Sequence, residues 1–237
     1  MARSDGRKAD EIRRTTMTRR FSRNAAGSVL IEMGGTRVIC TASVVPTVPD
    51  FLVGKGRGWL TAEYNMLPNS TTPRKPRDRS GKVDGRNVEI QRLIGRSLRN
   101  VARLDRLGER TLYIDCDVLD ADGGTRTASI TGAFVAAVDA LGPDAEAVFA
   151  DSVAAVSVGI VESGAVCDLD YSEDSEAGVD MNFVVTGSGR FVEVQGCGER
   201  VSFDERELST MIALGLAGAK ALKGVQRSAL GSDWRWS

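Results

Sequence analysis

Between Ala121 and Thr127 the chain reads ADGGTRT. Paired glycines let backbone amides approach an anion closely, Thr125 adds a hydroxyl, and Arg126 adds a planar fork of donors. An apolar strand around Leu112 to Leu119 precedes the segment and a helix follows it, so the positive end of that helix faces the same point. Gly124, Thr125 and Arg126 therefore have the makings of a phosphate cradle; a tight turn held by positive-φ glycines is the plainer alternative. Arg86 stands at the start of another helix, in DGRNVEIQRLIGRSLR, where a guanidinium can reach an anion beyond the helix mouth. Six carboxylates, Asp168, Asp170, Glu173, Asp174, Glu176 and Asp180, fall within thirteen residues. Hard divalent ions such as magnesium take carboxylate oxygens and keep several waters. A bend at Gly178 can bring Asp174 and Asp180 together before a strand from Met181; a solvated acidic loop is the alternative.

The 237 residues include no histidine. Ser-His-Asp hydrolysis, Cys-His proteolysis and histidine-bound zinc are excluded, which leaves carboxylates, arginines, hydroxyls, backbone amides and a carboxylate-bound metal. The net charge of −1 hides an asymmetry. Residues 1–110 carry 23 Lys+Arg against 11 Asp+Glu, and residues 111–237 carry 8 against 21. A basic half suits a polyanion and an acidic half a divalent cation; attraction between the halves in the fold would explain the same numbers. Cys40, Cys116, Cys167 and Cys197 lie far apart, with no C-x-x-C pair, and read as reduced, mostly buried thiols. No apolar run approaches the ~18 residues of a membrane span, and the charged N-terminus lacks a signal core. The expected compartment is the cytoplasm, with no membrane partner.

These groups need a scaffold. Gly27 to Val45 reads as two strands around Gly34-Gly35, Val153 to Asp170 as two around Ser163-Gly164, and Met181 to Gln195 as two around Gly187-Ser188-Gly189. The first two share an order of apolar strand, Glu, Gly turn, apolar strand, a hint of internal duplication. Val88 to Leu107 has helical apolar spacing with a stripe of Arg92, Arg96, Arg99 and Arg103. Thr127 to Leu141 is an Ala-rich helix stopped by Gly142-Pro143, and Ser202 with Glu205 reads as a capping box opening a helix to about Leu222. Val45 to Asp84 reads as a long connection holding five of the six prolines. This mixture does not alternate regularly, so the class is α+β.

The segments DGR (5–7), GSVLIEMGGTRVICTASV (27–44), GWLTAEYNMLP (58–68), GRNVEIQRLIGRSLR (85–99), DCDVLDADGGTRTASITGA (115–133), DLDYSEDSEAGVDMNFVVTG (168–187) and FVEVQG (191–196) together resemble the ribonuclease PH family, in its order and spacing from about residue 3 to 220. The resemblance implies a single domain over 1–237 with two related sheet-and-helix halves, 3–141 and 150–225. It implies phosphorolysis: inorganic phosphate, a co-substrate, attacks the last phosphodiester of an RNA and releases a nucleoside diphosphate. Arg86, Gly124, Thr125 and Arg126 would bind that phosphate. Asp174 and Asp180 match the family's catalytic acidic pair, which holds magnesium (or manganese) or assists proton transfer. Arg74, Arg77 and Arg79, in TPRKPRDRSGK, would grip tRNA away from the cleavage point. The implied substrates are tRNA precursors, trimmed beyond their CCA end, and other RNA 3′ ends including rRNA, with a reverse polymerising reaction left open. The implied assembly is a homohexamer, a trimer of dimers. One departure stands out: where the family continues EVQG with Thr-Ala-Glu-Gly, this chain has Cys197-Gly198-Glu199-Arg200. Two rival readings are an inactive ring subunit that binds RNA and a hydrolytic magnesium nuclease.

Overall fold

The computed structural model describes residues 3, 5–77 and 84–236. Among them the chain forms two sheets with helices packed between them. The first sheet has the order β1-β2-β3-β5-β4 and is built from β1 (Thr15–Arg19), β2 (Gly27–Met33), β3 (Thr36–Val45), β4 (Trp59–Met66) and β5 (Thr111–Asp120). Its pairs are antiparallel except β4–β5, which run parallel. That parallel pair is joined through α1 (Gly85–Val101) and the short α2 (Leu104–Leu107). The second sheet, β7-β6-β8-β9, is antiparallel throughout, with β6 (Val153–Val161), β7 (Gly164–Cys167), β8 (Val179–Thr186) and β9 (Phe191–Gly198). The short α4 (Ala145–Val148) lies between the halves, and α5 (Tyr171–Glu176) leads from β7 to β8. The architecture is α+β, as expected.

The central helix α3 (Thr125–Leu141) touches β2, β3 and β5 on one side and β6 on the other. It shows no one-sided apolar stripe because every residue from Thr127 to Val138 is buried; its Thr127, Ser129 and Thr131 hydroxyls donate to backbone carbonyls. Its small residues let sheet and helix approach closely. A Cβ at Gly132 would sit 2.8 Å from Ile31 and 2.9 Å from the Cys40 sulfur. The final helix α6 (Glu205–Leu230) packs on β6, β7, β8 and β1. By length and composition it could cross a membrane; here its Met211, Gly215, Gly218, Ala219 and Leu222 are buried against the protein. Gln226, wholly buried, ties it down by donating to the Thr131 and Val153 carbonyls at 2.9 Å each.

The three expected hairpins form with their turns in place. Three expectations need correction. The connection from Val45 to Asp84 contains β4, whose alternating WLTAEYNM buries Leu60, Ala62 and Tyr64. The helix expected over Val88 to Leu107 breaks after Val101, because Ala102 pairs with Phe149 and the Arg103 N–H donates to the Val148 carbonyl at 2.6 Å. The capping box of α6 is Asp204 with Glu207, two residues later than Ser202 with Glu205, and the helix runs on to Leu230. The β1 strand had no sequence expectation. Each half is a sheet with helices packed on it, as expected; the first carries a parallel crossover and the second a plain hairpin.

Candidate active site

A cleft of about 1000 Å³ opens between the two halves. Its lining includes Arg86, Gly124, Thr125, Arg126, Asp174 and Asp180, so six candidates separated by up to 94 positions in sequence share one cavity. The ADGGTRT residues sit where β5 gives way to α3. Gly123 and Gly124 have φ of +75° and +64°, which only glycine adopts without cost. Gly124 caps α3 with no side-chain acceptor on its first amides, so the helix mouth remains available to an anion. The buried Thr125 hydroxyl shares a 2.8 Å hydrogen bond with the Tyr64 hydroxyl from β4.

Arg86 is placed by the start of α1. Asp84 caps that helix, accepting from the Arg86 backbone N–H at 3.0 Å, and receives Lys75 Nζ at 2.6 Å. Lys75 and then the Arg86 amide hold the Asp84 carboxyl below its ordinary range. Among the described residues the Arg86 guanidinium has no hydrogen-bond partner. Arg126 donates to Gln195 Oε1 at 3.4 Å and lies 3.9 Å from Glu89.

The six-carboxylate cluster divides by role. Only Asp174 and Asp180 line the cleft. Asp168 is wholly buried against Arg13. Asp170 caps α5 in a reciprocal box with Glu173, whose carboxylate also receives Arg3 at 2.7 Å. Glu176 is exposed. Asp174, on α5, is pushed upward by burial, against the pull of Arg86 and Arg126. Asp180, on β8, is pushed up to about 6 by burial and by Asp174. Each arginine therefore feels both carboxylates, and the two acids feel each other.

One Asp180 oxygen is buried with no partner among the described residues. A carboxylate left so is costly, and a cation would relieve it. No group of three or more acidic or cysteine ligands gathers among the described residues, so a closed metal cage is absent there. Two carboxylates completed by waters and substrate phosphates are a usual magnesium arrangement, and Asp174 with Asp180 fit that arrangement.

Three features lay outside the candidates. Arg13 and Thr36 grip the back of the Gly123-Gly124 loop, Tyr64 holds Thr125, and Glu199 and Arg200 line the cleft. Arg200, from the segment that departs from the family pattern, donates to the Ser175 carbonyl at 2.7 Å beside Asp174. Arg74 and Arg77 are exposed and do not line the cleft; Lys75 does. Arg79 lies outside the described residues. The arginine stripe of α1 disperses: Arg92 is exposed, Arg96 pairs with Glu193, Arg99 stacks on Trp59 at 5.0 Å, and Arg103 falls beyond the helix. Cys40, Cys116 and Cys167 are buried free thiols, and Cys197 is exposed.

Residues 11–143 match the 3′ exoribonuclease family, domain 1, and residues 151–218 match domain 2 of that family. The fold is also that of solved structures at low identity. Rice (Oryza sativa) Rrp46 is 18% identical with a TM-score of 0.79, over 96% of this chain and 100% of that one. The Archaeoglobus fulgidus exosome with RNA bound to the active site is 22% identical with a TM-score of 0.76, over 94% and 92%. An archaeal exosome core is 20% identical with a TM-score of 0.73, over 96% and 91%. The chain belongs to the 3′ exoribonuclease family.

Proposed function

We propose that this member of the family is a phosphate-dependent 3′-to-5′ exoribonuclease that trims tRNA precursors beyond their CCA end in the cytoplasm. One observation carries the reading: two arginines, a glycine-opened helix mouth and two raised carboxylates line a single cleft. Phosphate is already an oxyanion nucleophile, so a histidine-free site has no need of a strong base. The obstacle is bringing two anions together. Arg86, Arg126 and the α3 terminus neutralise the incoming phosphate and aim it in line with the scissile bond. A phosphate oxygen bonds to the terminal phosphorus, the bond from that phosphorus to the 3′-oxygen of the preceding nucleotide breaks, and that oxygen takes up a proton. A nucleoside diphosphate leaves and the RNA is one residue shorter.

Asp174 and Asp180 would hold a magnesium or manganese ion, which when bound supplies positive charge against the scissile phosphoryl group. Arg74, Arg77 and Arg79 contribute a grip on the tRNA body. Relatives of this fold form exosome cores, and a homohexamer is the assembly proposed here. The test is 3′-extended tRNA incubated with and without phosphate while the released nucleotide is identified. Phosphate-dependent diphosphate release is expected, and Arg126→Ala should raise the phosphate requirement and cost ~2–4 kcal/mol at the transition state, the scale of one oxyanion donor. Release of monophosphates without phosphate would overturn the reading.

A further inference from the structure

The DGR segment at residues 5–7 and the acid at position 168 belong to the strings that carry the family resemblance, yet neither lines the cleft. The structure joins them to each other directly and joins Asp168 to the cleft loop through a third residue, Arg13. Asp168 is wholly buried at φ 55°, a left-handed conformation uncommon outside glycine. Its carboxylate accepts three hydrogen bonds from Arg13: the backbone N–H at 2.7 Å, Nε at 3.1 Å and Nη2 at 2.7 Å. The same guanidinium, in a side chain 3% exposed, also donates to the phosphate loop, to the Asp122 carbonyl at 2.5 Å and the Gly123 carbonyl at 3.4 Å. Arg7 donates to the Asp168 carbonyl at 2.9 Å, and Arg3 spans from that carbonyl to Glu173.

Loop and acidic helix also touch directly. The Tyr171 N–H donates to Asp122 Oδ1 at 3.3 Å. A Cβ at Gly123 would stand 2.7 Å from the Leu169 carbonyl oxygen, and one at Gly124 would stand 2.9 Å from Arg13 Nη2. No side chain fits between the two elements. Across a trans peptide C=O and N–H point in opposite directions. Drawing the Asp122 and Gly123 carbonyls onto Arg13, with Thr36 also donating to Gly123 at 2.6 Å, therefore turns the Gly123 and Gly124 amides away from Arg13.

We propose that Arg13, clasped by Asp168, is a positioning residue that sets the distance between the phosphate loop of the first half and the Asp174-bearing helix of the second. This rests on the phosphorolytic reading above. A buried ion pair adds little net stability over apolar packing; its value here is a fixed fork geometry with one arm on each half. Lysine keeps the charge but cannot reach a carboxylate and two carbonyls at once.

The test is steady-state kinetics of the full chain and its variants Arg13→Lys and Arg13→Met on 3′-extended RNA, with phosphate and RNA varied separately and folding followed by thermal melts. Misplacement by about 1 Å lowers rate on the order of 100-fold. Arg13→Lys should melt cooperatively, lose kcat on that scale, and show a raised KM for phosphate with an unchanged KM for RNA. It should remain more active than Arg13→Met. If Arg13→Met does not fold, the Arg13→Lys split decides. Phosphorolysis by the wild type together with wild-type kinetics in Arg13→Lys, or with equal rises in both KM values, overturns the clasp alone. A wild type that needs no phosphate overturns the functional reading, and the clasp with it.

Discussion

Replacing Asp180 by asparagine should make the protein more stable at neutral pH while it ends turnover. Burial and the Asp174 carboxylate push Asp180 from its ordinary 3.8 up to about 6. A carboxyl that holds its proton more tightly when folded makes the native state bind more protons than the unfolded state within that window. Stability then falls as pH rises from about 4 to about 6, and stays lowered above it. A shift of about two units at 1.36 kcal/mol each sets an upper bound near 3 kcal/mol, and roughly 2 kcal/mol is the expectation for a group that keeps some contact with water. Asparagine has the same shape, carries no charge, and offers an N–H to Asp174. In metal-free buffer at pH 7.5, Asp180→Asn should therefore melt about 4–8 °C above wild type, at 2–4 °C per kcal/mol for a chain of this size. Near pH 4 the gap should close. Calorimetry at matched protein concentration is the assay, because assembly adds a concentration-dependent term. Magnesium should raise the wild-type midpoint and leave the variant's nearly unmoved. Equal or lower stability of the variant at pH 7.5 would show that Arg126 and Arg86 already compensate the charge, and a gap that persists on acidification would show that the gain does not come from the carboxylate's charge.

Two further outcomes follow from the proposed RNA grip and assembly. The triple change Arg74→Ala, Arg77→Ala, Arg79→Ala should weaken tRNA processing strongly and leave phosphorolysis of a short single-stranded oligonucleotide little changed; the slope of log affinity against log salt for tRNA should become shallower by roughly two to three units, and equal loss on both substrates would refute the grip. Light scattering should give a mass near six times 25.3 kDa, and a fully active monomer would refute the ring.

What was legible in the sequence follows the range of the interactions. Hairpins are local: the Gly34-Gly35 and Gly187-Ser188-Gly189 turns mark their own strands, and both appear where expected. Glycines at a strand-to-helix junction are local too, so the turn that opens α3 could be drawn from ADGGTRT alone. Helix ends were less secure, because α1 stops where Ala102 is recruited by Phe149, 47 residues away, and nothing in the local spacing marks that competition. The cap of α6 is ambiguous in sequence because Ser202-x-x-Glu205 and Asp204-x-x-Glu207 satisfy the same pattern two residues apart; in the folded chain Asp204 accepts from both the Arg206 and Glu207 amides.

The acidic cluster shows the limit most clearly. By composition its six carboxylates are equivalent, and three-dimensional partners divide them. Asp168 is neutralised by an arginine 155 positions away, Asp170 and Glu173 complete a helix cap, and Asp174 and Asp180 are left in the cleft with burial acting against their charge. A carboxylate whose charge is satisfied within the fold has little left to offer a substrate or a cation. One that is buried, crowded by a like charge and missing a partner gains from any cation that enters. The basic first half and acidic second half meet at this cleft, but their bulk attraction does not assign the roles. The assignment comes from Arg3, Arg7 and Arg13, which engage the carboxylates that brace the loop and so leave Asp174 and Asp180 facing the arginines that would receive phosphate.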